Sequence, residues 1–480
     1  MAGASEPLAV WLYGEHVATL ERRRGRLRLT HSDAAQRRFG LNVPLVSMSM
    51  PVSARPYGHE LASAFFEGLL PEGEVRRAVA YDLGLPESDV FGLLGELGRD
   101  CAGALVVQPV SAGNPVAAPL AEAEPVDGEE VARRMARLRV APLGIDDRVR
   151  LSLAGVQGKL LLVRRPDGGW ALPTGGVPST HILKPATALP QVVENEAFCL
   201  RAAGHAGLAA AEVEIASVGG RPVLVVTRFD RARPDSGEVV RLHQEDACQA
   251  LGIAPARKYE EHDGPSLVAM ASTLRRWRAP EEELDRLLEA VTFSVAVGNA
   301  DLHGKNVTFL HDGESEIRLA PLYDVMCTRA YPDVSAVAGM FVNGVTGLDD
   351  IGPGDLVAEA EAWGLPARRA AGVVDRLLER LPGALEAAAS ETGEVPEALV
   401  GLVSERVARA RAASARTSGA VAPAFVPSVD APAVQEAAEV RVDSAEAGEP
   451  RVWVTPYRRA DGTPVAGHWR ARRALDSDAP

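Results

Sequence analysis

The sequence predicts an α+β fold of two lobes, a β-rich N-terminal lobe carrying an added N-terminal subdomain and a mostly helical C-terminal lobe. Two patterns in the 480 residues carry this expectation. Between residues 149 and 227, short apolar runs alternate with helical periodicity: Leu160 to Arg164 and His181 to Lys184 read as strands, Val193 to Ala206 as a helix, and Val223 to Thr227 as a buried strand. Beyond Asp230 the pattern turns mostly helical, with long Ala, Arg, Leu and Glu stretches at Glu281 to Val297, Leu356 to Leu378 and Glu397 to Ala413.

The N-terminal subdomain, 8–108, opens with strand-like Val10 to Tyr13, a turn near Gly14 and a second run from His16 to Leu20. Helical patterning follows in Glu60 to Leu70 and Glu74 to Leu83, and Gly95 to Gly103 leads into a strand at Ala104 to Gln108. Residues 109–127, rich in Ala, Pro and Glu, read as a linker. The rest of the β-rich lobe is then 128–228 and the helical lobe 229–413. Residues 414–480 form a tail whose Ala, Val, Pro, Ser and Glu content predicts disorder, ending in aromatics interleaved with arginines from Trp453 to Arg473. That end suits a docking partner or nucleic acid as well as it suits a solvated basic tail.

Composition sets limits. A hydrophobic content of 46% is ordinary for a packed globular protein. With 51 Lys and Arg against 65 Asp and Glu, the formal charge of -14 argues against a broad nucleic-acid footprint. Cys101, Cys199, Cys248 and Cys327 form no C-x-x-C pair, which points to free thiols in a reducing cytoplasm. No basic leader opens the sequence and no apolar run reaches membrane-spanning length, so the expectation is a soluble protein without a membrane.

The chemistry concentrates in Gly298 to Asn306 and in Leu322-Tyr323-Asp324. Asp301 and Asn306 stand in the Asp-x-x-x-x-Asn spacing of a phosphoryl-transfer loop, and Asp324 follows as a lone metal-binding carboxylate. Asp301 could orient a hydroxyl and take its proton, while Asn306 and Asp324 offer the oxygen ligands that Mg²⁺ requires. His303 and Lys305 would steady the loop or neutralise charge. On the loop alone, a polar turn after an amphipathic helix explains the same residues equally.

Phosphoryl transfer from a nucleotide needs a cation on the phosphates. Lys184, at the end of a strand, supplies one, and Glu194 or Glu196 on the following helix could pair with it. A snorkelling surface lysine is the competing reading. In Ser152 to Lys159, Gly155 and Gly158 would let backbone N–H groups approach phosphate oxygens, although a hairpin turn fits equally. Thr227, Arg228 and Phe229 sit where a hinge would face adenine, or simply end a buried strand. The polar cluster through Gln244, Glu245 and Asp246 also reads as a helix N-terminus. What favours the sharper reading is order: loop, strand lysine, helix glutamate, hinge, Asp/Asn loop and metal Asp occur as a bilobal kinase needs them.

These segments resemble the HipA family of bacterial serine/threonine kinases, toxin partners of small helix-turn-helix antitoxins. The resemblance runs from about Val10 to about Ala413 and includes Leu69-Leu70-Pro71 and Leu97 to Ala104. It implies a protein-kinase-like fold using ATP and Mg²⁺, with Asp301 as base and Asn306 and Asp324 as metal ligands. It further implies nucleotide or phosphate contacts from Ala154, Gly155, Gln157, Lys159, Lys184, Thr227, Arg228, Phe229 and His303, and autophosphorylation of Ser152. Gln244, Glu245 and Asp246 match a polar segment near the active site. Gly158 departs from the family, which commonly carries an acidic residue there. The implied partners are an antitoxin that makes most of the DNA contact and a protein substrate of the translation machinery, such as an aminoacyl-tRNA synthetase. Two other readings compete: a catalytically poor nucleotide-binding co-repressor, and a kinase acting on a small metabolite.

Overall fold

The computed structural model describes residues 6–115, 118–138, 143, 151–155, 157–232, 238–312, 316–418, 451–454, 457–458, 464–465 and 468–471. Leu8–Leu12, Glu15–Arg23 and Arg26–His31 form an antiparallel meander, and Leu105–Pro109 pairs with the free side of the first strand. Both hairpins have two-residue loops in which each residue has positive φ: Tyr13 and Gly14, then Arg24 and Gly25. That conformation matches the right-handed twist of the flanking strands, and glycine adopts it without strain. Alternation in Arg26–His31 buries Leu27, Leu29 and His31. Against this face pack the helices His59–Gly68 and Val90–Leu97, through Phe65, Phe66, Leu93, Leu94 and Leu97.

A second sheet runs in the order Glu124–Val126, Trp170–Leu172, Leu160–Arg164, His181–Pro185, Arg221–Thr227, Val213–Val218. Its first strand corrects the linker expectation for 109–127, because Glu124–Val126 pairs antiparallel with Trp170–Leu172. A Pro at its centre is tolerated because the strand lies at the edge, where one row of N–H groups has no ladder partner. The helix Val192–His205 packs on this sheet and buries Asn195 and Glu196 along with its apolar side.

Beyond Asp230 the chain is mostly helical as expected, with short two-stranded pairings and a three-stranded sheet that helical periodicity concealed. His243–Asp246, Thr308–Asp312 and Glu316–Leu319 form it in that order. Around the helices Leu267–Arg276, Glu282–Val297, Pro353–Ala362 and Ala367–Thr392 lies the largest apolar core. The single helix expected over Leu356 to Leu378 is two, because Pro366 bars Leu365 from the helical region and Trp363 closes the first. The last helix, Glu397–Ser418, runs past the expected limit at Ala413. The disorder expected of the tail falls mainly on 419–450, outside the described residues. Farther on, Arg451–Val454 pairs with His468–Ala471 and Tyr457–Arg458 with Pro464–Val465. Among the described residues, no helix is long and apolar enough to cross a membrane. All four cysteines are buried free thiols.

Candidate active site

The helix Glu282–Val297 ends at Gly298, whose φ of 82° turns the chain sharply into the 299–306 loop. Side chains then fasten that loop from inside. Asn299 Oδ1 accepts from the Asp301 N–H at 3.0 Å, Thr328 Oγ1 accepts from the Ala300 N–H at 2.9 Å, and Asn306 Nδ2 donates to the Asp301 carbonyl at 2.9 Å. With its amide nitrogen so used, Asn306 keeps its Oδ1 for a ligand. The Asp301 carboxylate stays open to solvent, its side chain 48% exposed, and accepts from Tyr259 Oη at 2.7 Å. The half of the carboxyl that is turned away from solvent loses hydration, which raises its pKa; the Tyr259 bond opposes that rise, and the charge of Asp324 adds to it. His303 stands 4.0 Å from Asp301 and lies edge-on to Tyr259; burial pushes it down to about 3, so it is neutral near pH 7.

Lys184 is no surface lysine. It is buried, donating to Glu196 at 2.7 Å and to Asp324 at 2.8 Å. Burial works against its charge, but the two carboxylates outweigh burial and hold the ammonium above its ordinary range. Asp324 is held well below the ordinary carboxylate range, chiefly by Lys184. Of the two candidate partners the structure selects Glu196; Glu194, two residues along the helix, is half-buried and points elsewhere by the 3.6-residue period. Asp324 has φ of 56°, a left-handed conformation that costs a non-glycine residue energy and recurs at functional sites. Next to it, Tyr323 Oη donates to the Lys305 carbonyl at 2.6 Å, tying this segment to the 299–306 loop.

The 151–159 segment closes the same region. Lys159 Nζ donates to the Ala154 carbonyl at 2.8 Å, and burial, then the charge of Lys184, depress it to about 8. Gly155 has φ of 119°, a backbone conformation that favours glycine, and a Cβ there would stand 2.6 Å from Lys159 Nζ. Gln157 donates to the Pro185 carbonyl at 3.2 Å. Ser152, the expected site of autophosphorylation, is fully buried and its Oγ donates to the Leu69 carbonyl at 2.7 Å.

Several of the expected contact residues are engaged elsewhere. The Arg228 side chain is buried among Asp230, Ser179 and the Cys101 carbonyl, in an ion cluster with Asp100, Arg231 and Arg241. Thr227 and Arg228 also spend their N–H groups on the Glu212 and Thr180 carbonyls, while Phe229 lies against Tyr323 with ring centroids 5.5 Å apart. Gln244 reaches Asp230, while Glu245 reaches Ser47, the Met48 N–H and His311 and so stitches the N-terminal domain to the helical lobe. Only Asp246 serves the loop, as a helix cap that also binds Lys305 at 2.8 Å. Sequence reasoning missed Tyr259, Lys258 and Glu72, since none lies in a recognisable spacing with Asp301. Asp100 was visible only as part of a quoted segment.

Asn306 Oδ1 and the Asp324 carboxylate are hard oxygen donors, a set that fits Mg²⁺, which takes few protein ligands and completes its shell with water and substrate phosphates. Among the described residues no group of three or more His, Cys, Asp or Glu could hold a metal, as a caged site would require.

Comparison with known proteins identifies the family. The family model for the HipA N-terminal domain matches residues 8–108, and that for the HipA-like C-terminal domain matches 151–385. Y4mE of Sinorhizobium fredii, which carries the name of a kinase, is 41% identical over 357 residues, spanning 71% of this chain and 83% of Y4mE. The serine/threonine-protein kinase toxin HipA of Shewanella oneidensis is 30% identical over 353 residues, 71% of this chain and 80% of that protein. The solved complex of Shewanella oneidensis HipA with HipB and operator DNA matches with a TM-score of 0.73 at 27% identity, covering 86% of this chain and 97% of the matched one. Both domains in their order, the shared fold and this level of identity make the chain a member of the HipA kinase family.

Proposed function

We propose that this chain is an ATP- and Mg²⁺-dependent serine/threonine protein kinase that acts as a HipA-like toxin. The observation that carries the reading is Lys184 held between Glu196 and Asp324, with Asp301 and Asn306 on one fastened loop beside them. In this reading Lys184 and Lys159 hold the nucleotide phosphates, and Asn306 and Asp324 hold Mg²⁺, which supplies charge neutralisation on the transferring group. Asp301 accepts a hydrogen bond from the attacking hydroxyl, orients it and takes its proton. Its exposure suits contact with a large substrate, and the raised pKa improves it as a base.

The substrate class is a protein of the translation machinery, with an aminoacyl-tRNA synthetase the expectation from the family resemblance. A small helix-turn-helix antitoxin is the proposed partner and makes most of the DNA contact; the kinship with a HipA solved with HipB and operator DNA supports this. The chain's net charge of -14 favours the same division of labour in the cytoplasm. Autophosphorylation at Ser152 switches the enzyme off: the buried hydroxyl must leave Leu69 to react, and roughly -1.5 to -2 added charge bars its return to a closed site.

Incubation with labelled ATP, Mg²⁺ and a cell lysate tests the reading, with Asp301→Ala alongside. The wild type should label itself at Ser152 and transfer phosphate to a lysate protein, and the variant should do neither. Absence of label from every wild-type reaction refutes it.

A further inference from the structure

We infer that Glu72, in the N-terminal domain, is a positioning residue for phosphoryl transfer that holds the 151–159 and 299–306 loops against one another. The inference rests on the kinase reading above. Glu72 belongs to the short connection between the helices His59–Gly68 and Gly73–Asp82, and this connection touches both loops. Leu69 accepts from Ser152 Oγ at 2.7 Å, and the Glu72 N–H donates to the Gly155 carbonyl at 3.1 Å. On the other side, the Gly68 carbonyl accepts from Lys305 Nζ at 3.2 Å.

The carboxylate extends the link. Glu72 Oε1 stands 3.7 Å from Lys305 Nζ and Oε2 stands 3.5 Å from Lys258 Nζ. From Lys258 the path to Asp301 is short: its carbonyl accepts from the Gly304 N–H at 2.9 Å, and the adjacent Tyr259 hydroxyl binds Asp301. Lys305 precedes Asn306 directly and is shared with Asp246. Glu72 does not serve its own helix, since as its N-cap it makes no side-chain capping bond. Among the described residues its Oε1 is buried without a hydrogen-bond partner, an unfavourable state for a carboxylate that the two lysines offset electrostatically. Thus the N-terminal domain supplies a wall of the active site, and the anion on that wall fixes the two lysines flanking Asp301 and Asn306.

Glu72→Gln keeps the shape and the backbone bond to Gly155 while removing the charge. Hydrogen exchange of full-length protein, read on the peptide covering 299–306, should quicken several-fold in Glu72→Gln and in Lys258→Met, with thermal midpoints near wild type. In steady-state assays on ATP and a dephosphorylated lysate protein that the wild type phosphorylates, Glu72→Gln should lower kcat about 10- to 100-fold and change the KM for ATP much less. The double variant should lose no more than the worse single one, since Lys258 acts through its contact with Glu72. Unchanged exchange in Glu72→Gln overturns the inference whether or not the chain transfers phosphate. So does an unchanged kcat when the wild type is active. If exchange quickens but the wild type itself transfers nothing, the kinase reading falls and the link between the loops stands.

Discussion

Arg228 offers a sharp separation between a nucleotide contact and a structural clamp. Replacing it with Met keeps the length and the apolar stem and removes the guanidinium. Four bonds go with it, to both Asp230 oxygens at 3.0 and 2.8 Å, to Ser179 at 2.8 Å and to the Cys101 carbonyl at 3.0 Å. Breaking a buried pair from one side costs about 3–5 kcal/mol because the partner charge is stranded. Here the lower end applies, since Asp230 keeps Arg231 at 2.9 Å and Asp100 keeps Arg231 and Arg241. A loss of about 3 kcal/mol corresponds to a melting shift on the order of 5–10 °C. Circular dichroism on heating reads that shift, and a fluorescent ATP analogue at a temperature where the variant stays folded reads affinity, which should stay within a few-fold of wild type.

The pH dependence adds a second arm. Burial opposes the charge on Asp230, but Arg228 and Arg231 prevail and hold the carboxyl down at about 2. A depressed carboxylate gives stability above its unfolded pKa that is lost as pH falls toward the folded one. Without Arg228 the folded pKa moves back toward the unfolded one, so less stability should be lost on acidification below about pH 4 than in the wild type. An unchanged melting midpoint together with a tenfold loss of nucleotide affinity would refute the clamp and restore the hinge.

Two further outcomes follow from the same geometry. Tyr259→Phe removes a hydrogen bond that favours ionised Asp301, so the acidic limb of the pH–kcat profile should move to higher pH; a limb that stays put separates Asp301 from the titrating base. Lys159 is depressed to about 8, first by burial and then by Lys184, so nucleotide affinity should hold near pH 7 and fall as pH rises through 8, whereas Lys159→Met should bind about 10- to 100-fold more weakly at pH 7 and show no such fall. In the free protein the sign for stability reverses: the unfolded lysine keeps its proton up to its ordinary value of 10.5, so stability rises with pH above about 8.

Much of the framework is local and therefore legible. Periodicity located the helices Val192–His205 and Glu282–Val297 and the strands Leu160–Arg164 and His181–Pro185 to within a residue or two, because alternation and helical spacing are written in neighbouring positions. The strand Thr308–Asp312 was hidden, since its identity depends on pairing with His243–Asp246 more than 60 residues earlier. Glu124–Val126 was hidden for the same reason, its Pro reading as linker until a neighbouring strand supplied the edge.

The sequence by itself determined the two-lobed order of parts and the Asp301, Asn306 and Asp324 spacing, because these depend on residue type and separation along one stretch of chain. Only the tertiary structure decided the partners. Lys184 meets Asp324 across 140 positions, and Arg228 meets Cys101 across 127. Glu196 rather than Glu194 takes the lysine because only one of them lies on the buried side of its helix. Burial makes those choices consequential: a charge that could stand alone in water must find its counterion inside the fold, and which counterion it finds depends on how distant segments pack.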